Sequence, residues 1–283
     1  MGTIISIIND KGGVAKTTTT MNLGSALWLL GKKVLLVDTD KQCNLTFTLD
    51  KTTMGTHNTT LLEWMRDRNI DAPVYERYEG FDFIPSSQNI AQLNTELLTK
   101  SGSDLFLTRR LNLLRDRYDY ILIDCAPGCD SLMNANALSA SDAVIIPIRT
   151  DLYSVVGRGP LMIKIDEIRE NLEKDLKVLG VLLTQFDRRT EMGKQVRKYF
   201  QENTDLPVFD VPIRKCEDCN KAPGSQMSVF EYNAECSAAE DYMRLACIVS
   251  GEKPNPRRWK PAVWAQKALK AYDEFIKLQE EEV

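Results

Sequence analysis

The chain has 283 residues, 36 Lys and Arg against 40 Asp and Glu, a formal net charge of -4, 43% hydrophobic and 27% charged residues. Those fractions exclude a mostly disordered chain, and this length supports one large domain or two small ones without a disulfide or metal staple. The slightly acidic balance excludes a global attraction to nucleic acid or membrane, so any such binding has to use a local basic patch. The first apolar run, Thr3–Ile8, predicts a strand and meets Asp10 and Lys11 almost at once, too early for a signal peptide. Thr17–Leu30 has helical spacing through Met21, Leu23, Ala26, Leu27 and Leu30, with Gly31 as its stop. Lys33–Val37 is a continuous apolar run of the kind buried on both faces of a parallel sheet. Helices are predicted over Leu61–Arg68, Ile90–Leu98, Leu105–Arg115, Ser131–Leu138, Tyr153–Leu172 and Met192–Asn203. Buried strands are predicted at Phe81–Ile84, Tyr120–Ile123, Ala143–Ile148 and Val178–Leu183, and a short one at Val208–Val211, ending at Pro212. Two helices, Ala234–Val249 and Ala262–Gln279, close the chain. Alternating β and α at this spacing predicts an α/β fold with a doubly wound, mostly parallel sheet flanked by helices. The expected organisation is one domain over residues 1–250, with residues 251–283 as a basic loop and helix packed on it. No stretch reaches the ~18 apolar residues of a spanning helix.

The strongest chemical signal is Asp10-Lys11-Gly12-Gly13-Val14-Ala15-Lys16-Thr17-Thr18, which follows a predicted strand and opens a predicted helix. Consecutive backbone N–H groups at a helix N-terminus offer partial positive charge to phosphate oxygens. Gly12 and Gly13 let the backbone curl close to a ligand, Lys16 can reach β- and γ-phosphates, and the Thr17 hydroxyl can ligate Mg²⁺. The strict GxxxxGK[ST] pattern is not met, because Asp10 and Ala15 stand where its two glycines would be. A second signal is Asp38 and Asp40 at the end of an apolar strand, where doubly wound folds place their ligands. A third is Asp124, the carboxylate at the tip of Tyr120–Ile123, suited to holding Mg²⁺ through water.

The stretch KGGxxKTT resembles the deviant Walker A motif of the ParA/MinD family of P-loop ATPases, and the match runs over roughly Met1 to Val249. That resemblance implies ATP and Mg²⁺ as cofactors, a nucleotide cradled by Lys11, Gly12, Gly13, Val14, Ala15, Lys16, Thr17 and Thr18, and an ATP-dependent homodimer in which Lys11 reaches the partner's nucleotide. Asp38-Thr39-Asp40-Lys41-Gln42-Cys43-Asn44 resembles the family's DxDPQGN switch I, with Lys41 and Cys43 in place of Pro and Gly. By that match Asp40 orients or activates the attacking water and joins Thr17 and Asp124 around Mg²⁺, partly through water, and Asp38 supports the phosphate loop and metal shell. Asp124-Cys125-Ala126-Pro127-Gly128 resembles the DxPP-type switch II. The GVLLTxxDxR-like stretch Gly180–Arg189, the turn at Pro212-Ile213-Arg214 and the turn at Ala222-Pro223 resemble the partition branch and make Pro212 an adenine-pocket candidate.

The partition branch implies slow, Mg²⁺-dependent ATP hydrolysis, sequence-independent binding to double-stranded DNA, and a ParB-like or cargo-adaptor partner that stimulates turnover. It also implies a cytoplasmic, nucleoid-associated protein. Two basic regions compete for the DNA. One holds Arg188, Arg189, Lys194, Arg197, Lys198, Arg214, Lys215 and Lys221; the other holds Lys253, Arg257, Arg258, Lys260, Lys267 and Lys270. Because the chain starts at its first strand, no helix-turn-helix module is expected ahead of it, and sequence-specific binding is not expected. Two other branches stay open as alternatives. The last predicted helix has an apolar stripe, but it ends in Gln279-Glu280-Glu281-Glu282-Val283, which an anionic membrane would repel, so no membrane partner is expected. Cys216-Glu217-Asp218-Cys219 raises an iron–sulfur carrier or metal site, against the plainer reading of two loop thiols. A second pair or a nearby His would be needed, and His57 is the only His; seven cysteines without an export signal fit a reducing compartment.

Overall fold

Runs that are apolar at every position can be buried only where both faces of a strand are covered. The computed structural model describes residues 1–50, 57–128, 131–150, 159–187, 189–253, 263–268 and 270–271. In chain order its elements are β1 (Thr3–Ile7), α1 (Lys16–Leu29), β2 (Val34–Asp38), α2 (Asn44–Leu49), α3 (Leu61–Arg66), β3 (Tyr75–Tyr78) and β4 (Phe81–Ile84). There follow α4 (Leu93–Glu96), α5 (Phe106–Asn112), β5 (Tyr120–Asp124), α6 (Leu132–Ala140), β6 (Ala143–Arg149) and α7 (Gly159–Leu172). The chain continues with β7 (Lys177–Thr184), α8 (Glu191–Asn203), α9 (Asp218–Lys221), α10 (Val229–Asn233) and α11 (Ser237–Ser250).

The seven strands form one sheet in the order β3-β4-β2-β5-β1-β6-β7. All neighbours run parallel except the β3–β4 pair. Successive side chains of one strand go to opposite faces. Ile4, Leu35, Val37, Ile121 and Ile123 enter one core with α6 and α7. Ile5, Ile7, Val34, Leu36 and Leu122 enter the other with α1 and α11. α1 packs so tightly on β2 that a Cβ at Gly24 would sit 2.7 Å from Leu36 Cδ2. The register sets Asp124 beside Ile7 on one side and Asp38 on the other. Three strand ends therefore deliver the phosphate loop and both acids to one edge.

The structure departs from the expectations at short elements. β3 and α2 were not anticipated. β3 is a four-residue antiparallel edge with a register shift, too short for alternation to show. The strand expected at Val208–Val211 is reduced to one isolated bridge, Val208 to Val181; a second bridge, Arg214 to Phe186, lies beyond it. Ile90–Leu98 splits into a 3-10 turn and α4, and α5 ends at Asn112. The helix expected from Ala234 starts at Ser237, because the Cys236 thiol caps it by accepting from Ala239 N. Of the last predicted helix, residues 263–268 and 270–271 are described as helical. Trp264 and Ala268 are buried, Trp264 meets Phe230 edge-on, and Lys267 Nζ donates to Trp28 O at 3.0 Å.

Candidate active site

The loop between β1 and α1 is shaped from within. Asn9 Nδ2 donates to Pro147 O at 2.8 Å, and Asn9 Oδ1 accepts from Lys11 N at 3.0 Å. The buried Lys16 ammonium donates to Asn9 O at 3.1 Å and Lys11 O at 2.8 Å, so the loop curls around a cation. Gly13 has φ 72°, and nothing lies within 4 Å of where its Cβ would be, which leaves the mouth of the loop open. Ala15, the N-cap of α1, is also left-handed at φ 68°. No described side chain caps α1 and its first turn holds no acid, so its amides are available to an anion. Lys11 is half-buried beside this mouth, and Thr17 and Thr18 line a cavity of about 370 Å³ with Asn44, Phe47, Ala222 and Pro223.

The acids differ in how they are held. Asp38 is saturated: its Oδ1 accepts from Asp40 N, and its Oδ2 from Thr46 N at 2.9 Å and Thr46 Oγ1 at 2.7 Å. It folds the chain after β2 into α2. That turn places Cys43 at φ 53° as the N-cap. Asp40, nearly buried, accepts from Gln42 N with Oδ1 at 3.0 Å. Asp124 receives Thr20 Oγ1 on Oδ1 at 3.4 Å, while its buried Oδ2 has no hydrogen-bond partner among the described residues. Burial pushes both Asp38 and Asp124 above the ordinary carboxylate range. For Asp124 the Asp38 charge adds to this, while the Thr17 hydroxyl and Lys16 oppose it. An orphaned buried carboxylate oxygen within reach of a threonine hydroxyl is an all-oxygen donor set suited to Mg²⁺. The residues present thus fit the metal that the loop chemistry implies.

Residues 2–178 match the AAA domain family. The chain is 36% identical over 256 residues to the sporulation initiation inhibitor protein Soj of Bacillus subtilis, covering 87% of this chain and 97% of that one. It is 32% identical to the chromosome partitioning protein ParA of Caulobacter vibrioides, over 88% of this chain and 95% of the relative. The chain belongs to the ParA/MinD family of P-loop ATPases. Among solved structures, the cobyrinic acid a,c-diamide synthase of Mycobacterium smegmatis with bound ADP and magnesium superposes with a TM-score of 0.76 at 28% identity. That match covers 89% of this chain and 98% of the other. The two glycines of the ParA/MinD pattern that this chain replaces, by Ala15 and Cys43, both fall at left-handed backbone positions. This chain carries the strain of a Cβ at each.

The remaining expected ParA-type site residues scatter. Pro212 is buried in the segment after β7 and does not line the cavity beside Thr17; the later turn at Ala222-Pro223 does. Arg214, grouped by sequence with a DNA surface, is committed elsewhere. Its guanidinium donates to Asp241 at 2.8–3.0 Å, to Glu240 at 2.7 Å and to Ser237 O at 3.0 Å. It is an internal ion pair, because the acids of α11 face it across the segment after β7. Arg189 is 90% exposed and folds onto Asp187 at 3.0 Å. Lys194 pairs with Glu191 and Lys198 with Glu202 along α8, Arg197 donates to Asp210 O at 3.3 Å, and Lys215 is exposed. Arg188, Arg257, Arg258 and Lys260 lie outside the described residues.

Sequence reasoning missed the clamp on α2. Arg77, 1% exposed, donates to Leu49 O at 2.6 Å, Thr48 O at 3.3 Å and Gln226 O at 2.8 Å, and pairs with Glu231 at 2.9 Å. Gln226 Nε2 donates to Phe47 O and Asp50 O. The last carbonyls of α2 are thereby tied to the cavity wall. An arginine inside a short apolar-flanked segment, as in Tyr75-Glu76-Arg77-Tyr78, is the only local hint.

Proposed function

We propose that the protein is a partition-type ATPase: it binds Mg²⁺-ATP, closes as a homodimer across Lys11, holds DNA without sequence preference, and releases it when a partner stimulates hydrolysis. The observation that carries the nucleotide part is the convergence of Lys16, the uncapped N-terminus of α1, Thr17 and the orphaned Asp124 Oδ2 at neighbouring strand ends. The α1 amides and Lys16 would bind the phosphates, Lys16 giving up its contacts to Asn9 O and Lys11 O. Thr17 and Asp124 would hold Mg²⁺, which neutralises phosphate charge when bound. Asp40 has Oδ1 occupied by Gln42 N, so its Oδ2 is the atom to accept a hydrogen from the attacking water and align it. Asp38 acts through Asp40 and Thr46 as a positioning residue. Support for ATP and magnesium comes from the similar synthase solved with an ATP analogue and magnesium. Support for partition comes from the Soj and ParA relatives.

The DNA surface would be built from Arg189, Lys194, Arg197, Lys198 and Lys215, with Arg188, Arg257, Arg258 and Lys260 as further contributors. Dimerisation would double this surface, which explains how an acidic chain could bind DNA only with ATP. The test is light scattering with a slowly hydrolysed ATP analogue, together with anisotropy on two unrelated duplexes. The wild type should dimerise and bind both alike, and Lys11→Ala should bind nucleotide as a monomer. Preference for one duplex, or an unchanged dimer fraction in Lys11→Ala, refutes the corresponding part. Among the described residues no helix is long and apolar enough to cross a membrane.

A further inference from the structure

The thiols that looked like an isolated pair in sequence acquire a third. Cys216 precedes α9, Cys219 lies within it, and the fold brings in Cys236, the N-cap of the 14-residue helix α11. The sulfurs of Cys216 and Cys236 and a carboxylate oxygen of Asp218 all lie within 4.8 Å of one another. Two thiolates across a tetrahedral zinc ion, with Zn–S of about 2.3 Å, are about 3.8 Å apart. Closing this cluster onto a metal therefore asks for side-chain shifts of about 1 Å. Cys219, in the same turn, has its sulfur outside that close group and would have to turn in to serve as a fourth ligand.

The surroundings are those of a built site. Cys236 is buried, and Cys216 and Cys219 pack against the core that holds Tyr242 and Met243. Asn233 Nδ2 donates to Asp218 Oδ2 at 3.0 Å, and the Cys216 thiol lies 3.9 Å from the same oxygen, so the carboxylate is aimed into the thiols. Ala239 N donates to Cys236 Sγ at 3.4 Å, and the start of α11 favours negative charge there. All three cysteines are free of disulfides.

We propose that Cys216, Cys236 and Asp218 form the core of a structural Zn²⁺ site, with Cys219 turning in as the fourth ligand. Three thiolates and one carboxylate select zinc over magnesium by softness, so this ion would not compete for the oxygen ligands Thr17 and Asp124. The closed loop from Cys216 to Cys236 contains Ala222, Pro223, Gly224 and Met227, the wall of the cavity beside Thr17 and Thr18. Zinc would fasten that wall to α11. The inference goes beyond the ATPase reading and does not depend on it.

The test uses the full chain, reduced with a non-thiol reductant, stripped of metal and titrated with Co²⁺ and then Zn²⁺. One Co²⁺ per chain should bind with thiolate charge-transfer absorption and tetrahedral d–d bands, and one Zn²⁺ should displace it and raise Tm. Cys236→Ser keeps a helix-capping hydroxyl, so it should fold, as checked by circular dichroism, yet bind Zn²⁺ at least ~100-fold more weakly and lose the cobalt charge-transfer band. Asp218→Asn should weaken binding by about 10- to 100-fold, and Cys247→Ser, buried elsewhere on α11, should change nothing. No saturable band at one equivalent, or the same band in Cys236→Ser, overturns the proposal. An iron–sulfide chromophore on these thiols in a chain that fails to take zinc overturns it too.

Discussion

The phosphate loop and the surface around α8 both place basic side chains near acids, yet the charges are used in opposite ways. In the loop, the Lys16 ammonium is buried and held by two backbone carbonyls, and Asp124 has a buried oxygen with no hydrogen-bond partner among the described residues. Around α8, Lys194, Lys198 and Arg189 stand in solvent, each already neutralised by an acid two to four residues away. Buried charges are held by many contacts and each one matters, whereas exposed pairs are worth ~0–1 kcal/mol and are easily exchanged for phosphate oxygens. One region is therefore pre-organised for a single ligand, and the other carries loosely held charges, as the proposed sequence-independent DNA contact requires.

The comparison can be broken most severely at Lys16. Lys16→Ala removes charge-assisted hydrogen bonds of ~1.5–3 kcal/mol each, so ATP affinity should fall by roughly 100-fold or more in equilibrium titration. Binding at wild-type affinity would show the loop is not pre-organised by its cation. Asp40→Ala should keep ATP binding within a few-fold but cut single-turnover hydrolysis by about 100- to 10,000-fold. Wild-type turnover in this variant would remove Asp40 from its role.

Arg214 separates the two kinds of charge. Arg214→Ala leaves the buried Asp241 carboxylate with only the backbone N of residue 214 as donor among the described residues and should cost ~1.5–3 kcal/mol in urea denaturation. Arg189→Glu should shift stability by less than ~1 kcal/mol but lower affinity for every duplex and flatten the salt dependence by about two phosphate contacts per dimer. If Arg214→Ala spared stability and abolished DNA binding instead, its assignment as an internal ion pair would be wrong. The smallest effect is expected at Ala15. Ala15→Gly relieves ~1–2 kcal/mol of left-handed strain and adds ~0.5–1 kcal/mol of unfolded-state entropy, so a net gain of about 0.5–1 kcal/mol should appear as a raised Tm. A lower Tm would mean the strain is absent.

The elements legible in advance were those with an apolar run or a contiguous chemical motif. β4 runs over Phe81–Ile84 as the apolar run predicted, and α1 and β5 came within a residue or so at each end. β3, Tyr75-Glu76-Arg77-Tyr78, escaped because its two central residues are charged, and α2 because six residues make fewer than two helical turns. In the candidate site, the placement of Lys16, Thr17, Asp38, Asp40 and Asp124 at one sheet edge was legible because each sits at or near a strand end or helix start, where local spacing alone fixes direction. Arg77, Glu231 and Gln226 were not, because nothing near them in the chain announces their partners.

The sequence by itself determined the phosphate loop, since a strand, a glycine turn and a helix N-terminus are made from contiguous residues and backbone geometry. It also determined the parallel sheet, through runs apolar on both faces. Only the tertiary structure decided which charges were spent internally, joining Arg214 to Asp241 and Arg77 to Glu231, and which thiols met, joining Cys216 to Cys236. Those contacts span from 20 to 154 positions along the chain, where no periodicity reaches, and they form only because the segment after β7 folds back over α1 and α11.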